Sequence, residues 1–230
     1  MTFCFTTLIM GCSNNSEVEE VSDEISEEIS QAADGPKFDL LSTPVGDVNF
    51  PTSCTAEASP LVERGVALMH NMMYPEAQFA FSMADDADPN CAMSYWGQAM
   101  VMIHPLWGDA LSAEDYARGL ELTRRGQSIN GITEREQNFL KTTEAFYLES
   151  ADLNMVNGFA KMSAVWQNIS DEMPEDMDAK AFNALFKVAI SKNDSERLEA
   201  GQVALDVLKT MPNHPGGHHY VIHAFDTANL

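Results

Sequence analysis

From about residue 58 onward, apolar and small residues recur at helical spacing in paired segments, and Pro- or Gly-containing breaks separate the segments. This pattern constrains the fold more than any other feature, because one helical hairpin cannot bury its own apolar face and must stack on another. Leu61, Val62, Gly65, Val66, Leu68 and Met69 form the first apolar face, with Ser59 placed to cap the helix and Pro60 at its first position. Pro75 opens a second helix that runs to about Ala87, and Asp88-Pro89-Asn90 closes it. Ser112 with Asp115 marks a further helix start, and Thr133-Glu134-Arg135-Glu136 fits a capping box. No β-rich alternating stretch competes, so the expected class is all-α.

With Ala58 as position 1, Leu61, Gly65, Leu68, Ala77, Phe81, Ala84 and Pro89 fall at positions 4, 8, 11, 20, 24, 27 and 32. This spacing resembles the tetratricopeptide repeat, and the resemblance implies a solenoid of helical hairpins wound as a right-handed superhelix over 58–230. Gly65 and Ala77 would let the paired helices approach while Leu68 and Phe81 fill the space between them; Arg64 departs from the pattern. A second repeat starts at Ala92 and carries the insertion His104-Pro105-Leu106-Trp107-Gly108-Asp109 before a helix near 113–128. A third pairs about 133–149 with 153–170. A fourth runs from Ala181 to Pro212, and a fifth begins at Pro215 with a single helix.

Several strings go beyond the generic repeat: Phe50-Pro51-Thr52-Ser53-Cys54, Asp88 to Met93 with Trp96-Gly97, His104-Pro105-Leu106-Trp107, and His214 to Asp226. They are similar to a family of exported or envelope tetratricopeptide-repeat proteins of bacteria whose activity is unsettled. Members of that family usually continue past the equivalent of Asp226, so the resemblance implies that this chain is the N-terminal part of a longer one.

The N-terminus reads as an address. Phe3 to Met10 is apolar and has the size of a signal-peptide core. Leu8-Ile9-Met10-Gly11-Cys12 resembles a bacterial lipoprotein signal, although no Lys or Arg precedes it. The resemblance implies cleavage before Cys12, a lipid on Cys12, and a place in the bacterial cell envelope. Residues 13–36 are then an acidic linker, with a marginal amphipathic helix as the other reading of the same stretch. Residues 37–57 form an irregular entry segment. If Cys4 leaves with the signal and Cys12 is capped, Cys54 and Cys91 remain as an even pair in an oxidising compartment, either bridged or as two separate thiols.

Charge limits the partners. Lys and Arg number 13 against 35 Asp and Glu, a net charge of −22. Eight of those acids lie in 1–34, which leaves −14 on the rest of the chain. Nucleic-acid backbones are bound by Lys and Arg, so that class of partner is excluded. No run of about 18 apolar residues exists, so membrane contact is expected through the lipid anchor only.

Carrying over the concave positions of the repeat family assigns Val62, Val66, Met69 and His70, then Met93, Trp96, Met100, Ile103 and His104, to a groove for a peptide or protein ligand. No cofactor is needed for that function. The alternative is a metal site for zinc or copper. His219 and His223 are four residues apart with Asp226 on the same helical face, and His214 could complete the set. The other reading of these His is packing and capping. No Gly-x-Ser-x-Gly elbow, phosphate loop or dinucleotide fingerprint is present, so no catalytic residue is assigned.

Overall fold

The computed structural model describes residues 39–107, 109–150 and 154–227. The signal-like segment, Cys12 and the acidic linker lie outside these residues. The unit described here begins at Leu40. Every regular element in the described residues is an α-helix. In chain order they are α1 Ser59–His70, α2 Tyr74–Ala87, α3 Ala92–Met100, α4 Ala113–Gln127, α5 Glu134–Glu149, α6 Met155–Glu172, α7 Met177–Ile190, α8 Asp194–Thr210 and α9 Pro215–Phe225. None is long and apolar enough to cross a membrane.

The helix starts follow local chemistry. Ser112 Oγ accepts from the Asp115 amide at 3.0 Å. Thr133 and Glu136 form the reciprocal capping box. Asn154, Asp176 and Asn193 cap α6, α7 and α8 through their side chains. Ser59 departs from its expected role: Ala58 is the N-cap of α1, and Ser59 Oγ instead donates to the Thr55 carbonyl at 2.9 Å. The chain thus enters α1 through a turn that already uses Ser59 inside the helix.

Consecutive helices pack on each other along the chain. Helix α3 also touches both α1 and α5, and α7 touches α9. Helix α9 packs on α1. Gly65 permits the first hairpin to close, because a Cβ there would stand 2.7 Å from the Phe81 ring.

The core is a chain of aromatic contacts across five helices and the entry segment. Phe50 meets Trp96 at 5.5 Å, Trp96 meets Phe139 at 5.2 Å, and Phe139 meets Trp166 at 5.0 Å. Trp166 then stacks on Phe182 at 4.9 Å, and Phe182 lies 4.3 Å from the His70 ring. Each such pair adds about 0.5–1.5 kcal/mol beyond the area it buries.

The entry segment is bound into this core. Glu136, whose Oε2 closes the capping box, also accepts from the Ser53 amide at 2.7 Å through Oε1. Arg64, the departure from the repeat pattern, donates to the carbonyls of Leu40 and Thr43. Asp47 N–H donates to Asn213 O at 3.0 Å, which ties the segment to the turn before α9. Cys54 and Cys91 form a disulfide with their Cα atoms 4.6 Å apart.

These contacts fill the surface expected to be a groove. Val62, Val66, His70, Met93 and Trp96 are fully buried, and Met69, Met100 and Ile103 nearly so. Neighbouring elements cover them: Phe50 and Phe182 lie against Trp96, and Phe182 lies against His70.

Candidate metal centre

Three helix ends converge on one buried point. His70 is the last residue of α1, Asp178 lies in the first turn of α7, and His214 is the N-cap of α9. Their exposures are 0%, 1% and 0%. His214 Nε2 is 3.2 Å from Asp178 Oδ1, and His70 Nε2 is 3.5 Å from the same oxygen. One imidazole nitrogen from each His and a carboxylate oxygen all lie within 4.8 Å of one another.

Hydrogen bonds determine where the protons sit. His214 Nδ1 accepts from the Gly217 amide at 3.2 Å, so its proton is on Nε2 and is donated to Asp178. His70 Nδ1 is bonded to the Tyr220 hydroxyl at 2.8 Å. His70 Nε2 and Asp178 Oδ2 are buried and make no hydrogen bond. An unsatisfied buried polar atom costs about 1–3 kcal/mol, and here two of them sit in one cluster.

Electrostatics keep the cluster anionic. Burial lowers the His70 pKa from the ordinary 6.5 to about 4, against a partial upward pull from Asp178. Burial alone would raise Asp178, but the hydrogen bond from His214 and the nearby His70 imidazole outweigh it and hold the carboxyl at about 2. The N-terminus of α7 favours the same charge. Asp178 is therefore a buried carboxylate, and its ion-pair partners among the described residues are the two imidazoles.

The packing around the cluster is tight. Phe182 covers one side of the His70 ring at 4.3 Å. Gly216 lets α9 approach His70: a Cβ at that position would lie 2.6 Å from Nδ1.

No family model, curated protein or solved structure matches this chain. The site must therefore be read from its own chemistry.

The structure divides the residues expected to bind metal. His214 turns inward to Asp178 and does not join His219, His223 and Asp226. It is the cap of α9, which points its ring into the core rather than along the exposed face of the helix. His219 and His223 face each other, with their Nε2 atoms 3.2 Å apart. Asp226 is exposed at the end of α9, near enough for its charge to raise the His223 pKa, while burial, first among the opposing causes, lowers it overall. His104, the remaining groove candidate, stacks on Tyr74 at 4.3 Å and bonds Asp109 at 2.7 Å beside an open cleft.

Asp178 and Tyr220 are additions of the tertiary structure. Asp178 is one acid among 35, and its sequence neighbours carry no metal-ligand spacing. Two residues ahead of it, Asp176 has the form of a helix cap, which is the one local sign that Asp178 begins a helix.

Proposed function

We propose that this protein binds a zinc ion through His70 Nε2, the Asp178 carboxylate and His214 Nε2. The observation that carries this reading is the spacing of Asp178 Oδ1 from the two imidazole nitrogens, beside the unsatisfied His70 Nε2 and Asp178 Oδ2. Tetrahedral zinc with ligands at about 2.0–2.1 Å requires donors about 3.3 Å apart. Asp178 Oδ1 stands 3.2 and 3.5 Å from the two imidazole nitrogens, and all three donors lie within 4.8 Å of one another, so the imidazoles would draw together on the ion. A divalent cation would also neutralise the buried carboxylate. Tyr220 would then act as the outer partner of His70, accepting from Nδ1 and fixing the ring. His214 carries the cost: its proton moves to Nδ1, and the Gly217 amide loses its acceptor, worth about 1 kcal/mol. Competition titration with a chromophoric chelator tests the site. One equivalent of zinc held at least 100-fold more tightly by the parent chain than by Asp178→Asn supports it, and equal affinity of the two removes it.

The fold supports a tetratricopeptide-like scaffold for this site. Consecutive hairpins, with first helices touching across the pairs α1–α3, α3–α5 and α7–α9 but not α5–α7, make most of the contacts of such a solenoid. The lipoprotein-like sequence at Cys12 supports an anchored position in the bacterial envelope. Palmitate labelling that disappears in Cys12→Ala is the expected result.

A second reading, a scaffold that binds a peptide, is favoured by one surface feature. A cleft of about 550 Å³ opens among Met72, Tyr74, Met102, His104, Trp107 and Leu111. Trp107 is 66% exposed there. A specific partner retained in excess chelator and lost in Trp107→Ala would support this reading over the metal one.

A further inference from the structure

Independently of the buried triad, we propose that His219 and His223 form a second, surface chelate for a late divalent transition-metal ion. The two residues are one helical turn apart on α9, and their rings stack with centroids 5.0 Å apart and planes 28° from parallel. Their Nε2 atoms approach to 3.2 Å. His219 Nδ1 is bonded to the His70 carbonyl oxygen at 2.9 Å, and a carbonyl oxygen can only accept. The proton of His219 is therefore on Nδ1, and its Nε2 presents a lone pair to His223. In the metal-free protein only one proton can lie between the two Nε2 atoms, so the contact holds either that proton or an ion.

An ion fits the contact. Imidazole ligands at about 2.0–2.1 Å in tetrahedral or tetragonal geometry stand about 2.9–3.4 Å apart. The carbonyl of His70 holds the His219 ring in its ligating tautomer, the outer support that metal-bound His usually has. Both side chains are half-buried, so solvent can reach the pair and complete the coordination. The flanking charges are of both signs. Arg197 on α8 donates to the His223 carbonyl oxygen at 2.9 Å and places a cation nearby, and Asp226 at the end of α9 supplies the opposing negative charge. Neither His is a ligand of the buried triad; the two sites are joined through the His70 backbone and through Tyr220, which stacks on His219 and bonds His70 Nδ1.

Calorimetric titration with Ni²⁺ separates the two sites. In Asp178→Asn, which removes the triad carboxylate, the nickel site is expected to persist. In His223→Ala it should weaken at least tenfold, with the zinc affinity of the triad unchanged. Equal Ni²⁺ affinity in the parent chain and in His223→Ala overturns the surface site, whatever the triad does. Diethylpyrocarbonate modification of the unaltered chain needs no substitution at all. Ni²⁺ should protect His219 and His223, whereas equal modification with and without Ni²⁺ also overturns the proposal.

Discussion

His214 and Asp178, which are 36 residues apart in sequence, share a buried hydrogen bond of 3.2 Å between Nε2 and Oδ1. The same carboxylate oxygen faces His70, so Asp178 is the hub of the cluster. Asp178→Asn keeps the shape and removes the charge. The apoprotein is expected to stay folded, because a neutral amide costs less to bury than a carboxylate. Zinc affinity should fall at least 100-fold, about 2.7 kcal/mol. Circular dichroism of the variant without metal, beside the chelator competition, checks both halves. A variant that binds zinc as tightly as the parent chain would return the cluster to a purely structural role.

Acid should weaken the metal-free fold through His70. Its pKa is held at about 4 against the ordinary 6.5, so between these values the unfolded chain takes up a proton that the folded chain refuses. Stability is then fully present above about pH 6.5 and is lost as the pH falls toward 4. At about pH 5 the loss from this group is about 2 kcal/mol. Asp178, held at about 2 against 3.8, adds a further loss only below its ordinary value. Urea denaturation in chelator at about pH 7.5 and pH 5 should show this slope, and His70→Gln should flatten it.

Gly216→Ala should damage the site without removing a ligand. The added methyl would stand 2.6 Å from His70 Nδ1, where the Tyr220 hydroxyl now bonds. Overpacking of this kind costs about 1–3 kcal/mol. A lower melting temperature and a weaker zinc affinity are expected together. A variant as stable as the parent would show that α9 can move away from α1 at little cost.

The Cys54–Cys91 bridge closes a loop of 37 residues onto the first hairpin. The chain-entropy treatment values such a closure at about 4 kcal/mol. Cys91→Ser should lower the denaturant midpoint accordingly, and reducing agent should do the same to the parent chain but not to the variant.

Arg135 links the entry segment to the helix that carries Asp178. Its guanidinium lies 4.2 Å from both the Phe50 and the Phe139 rings and pairs with Asp176, the cap of α7. Arg135→Ala is expected to cost about 2–3 kcal/mol, and Arg135→Lys to recover little of it, because an ammonium cannot reproduce the planar fork. Equilibrium unfolding of the two variants gives the comparison.

Much of the fold was legible because it rests on neighbours in sequence. The caps at Ser112 and Thr133, the break at Asp88-Pro89-Asn90 and the start at Pro215 are local events, decided by groups a few residues apart. The all-α class follows from the same periodicity. The candidate site was only half legible. His214, His219 and His223 stand out as a cluster of one residue type, but Asp178 is hidden among many acids and His70 was assigned to a groove.

What the sequence determined by itself is therefore the set of helices, their ends and the acidic balance of the chain, since each depends on short-range spacing or on composition. The tertiary structure decided which faces are covered. Helix α9 closes onto α1, Phe50 enters the core between Trp96 and Arg135, and three helix ends bring His70, Asp178 and His214 together. The repeat spacing describes how one hairpin packs on the next, and it carries no term for the packing of α9 on α1.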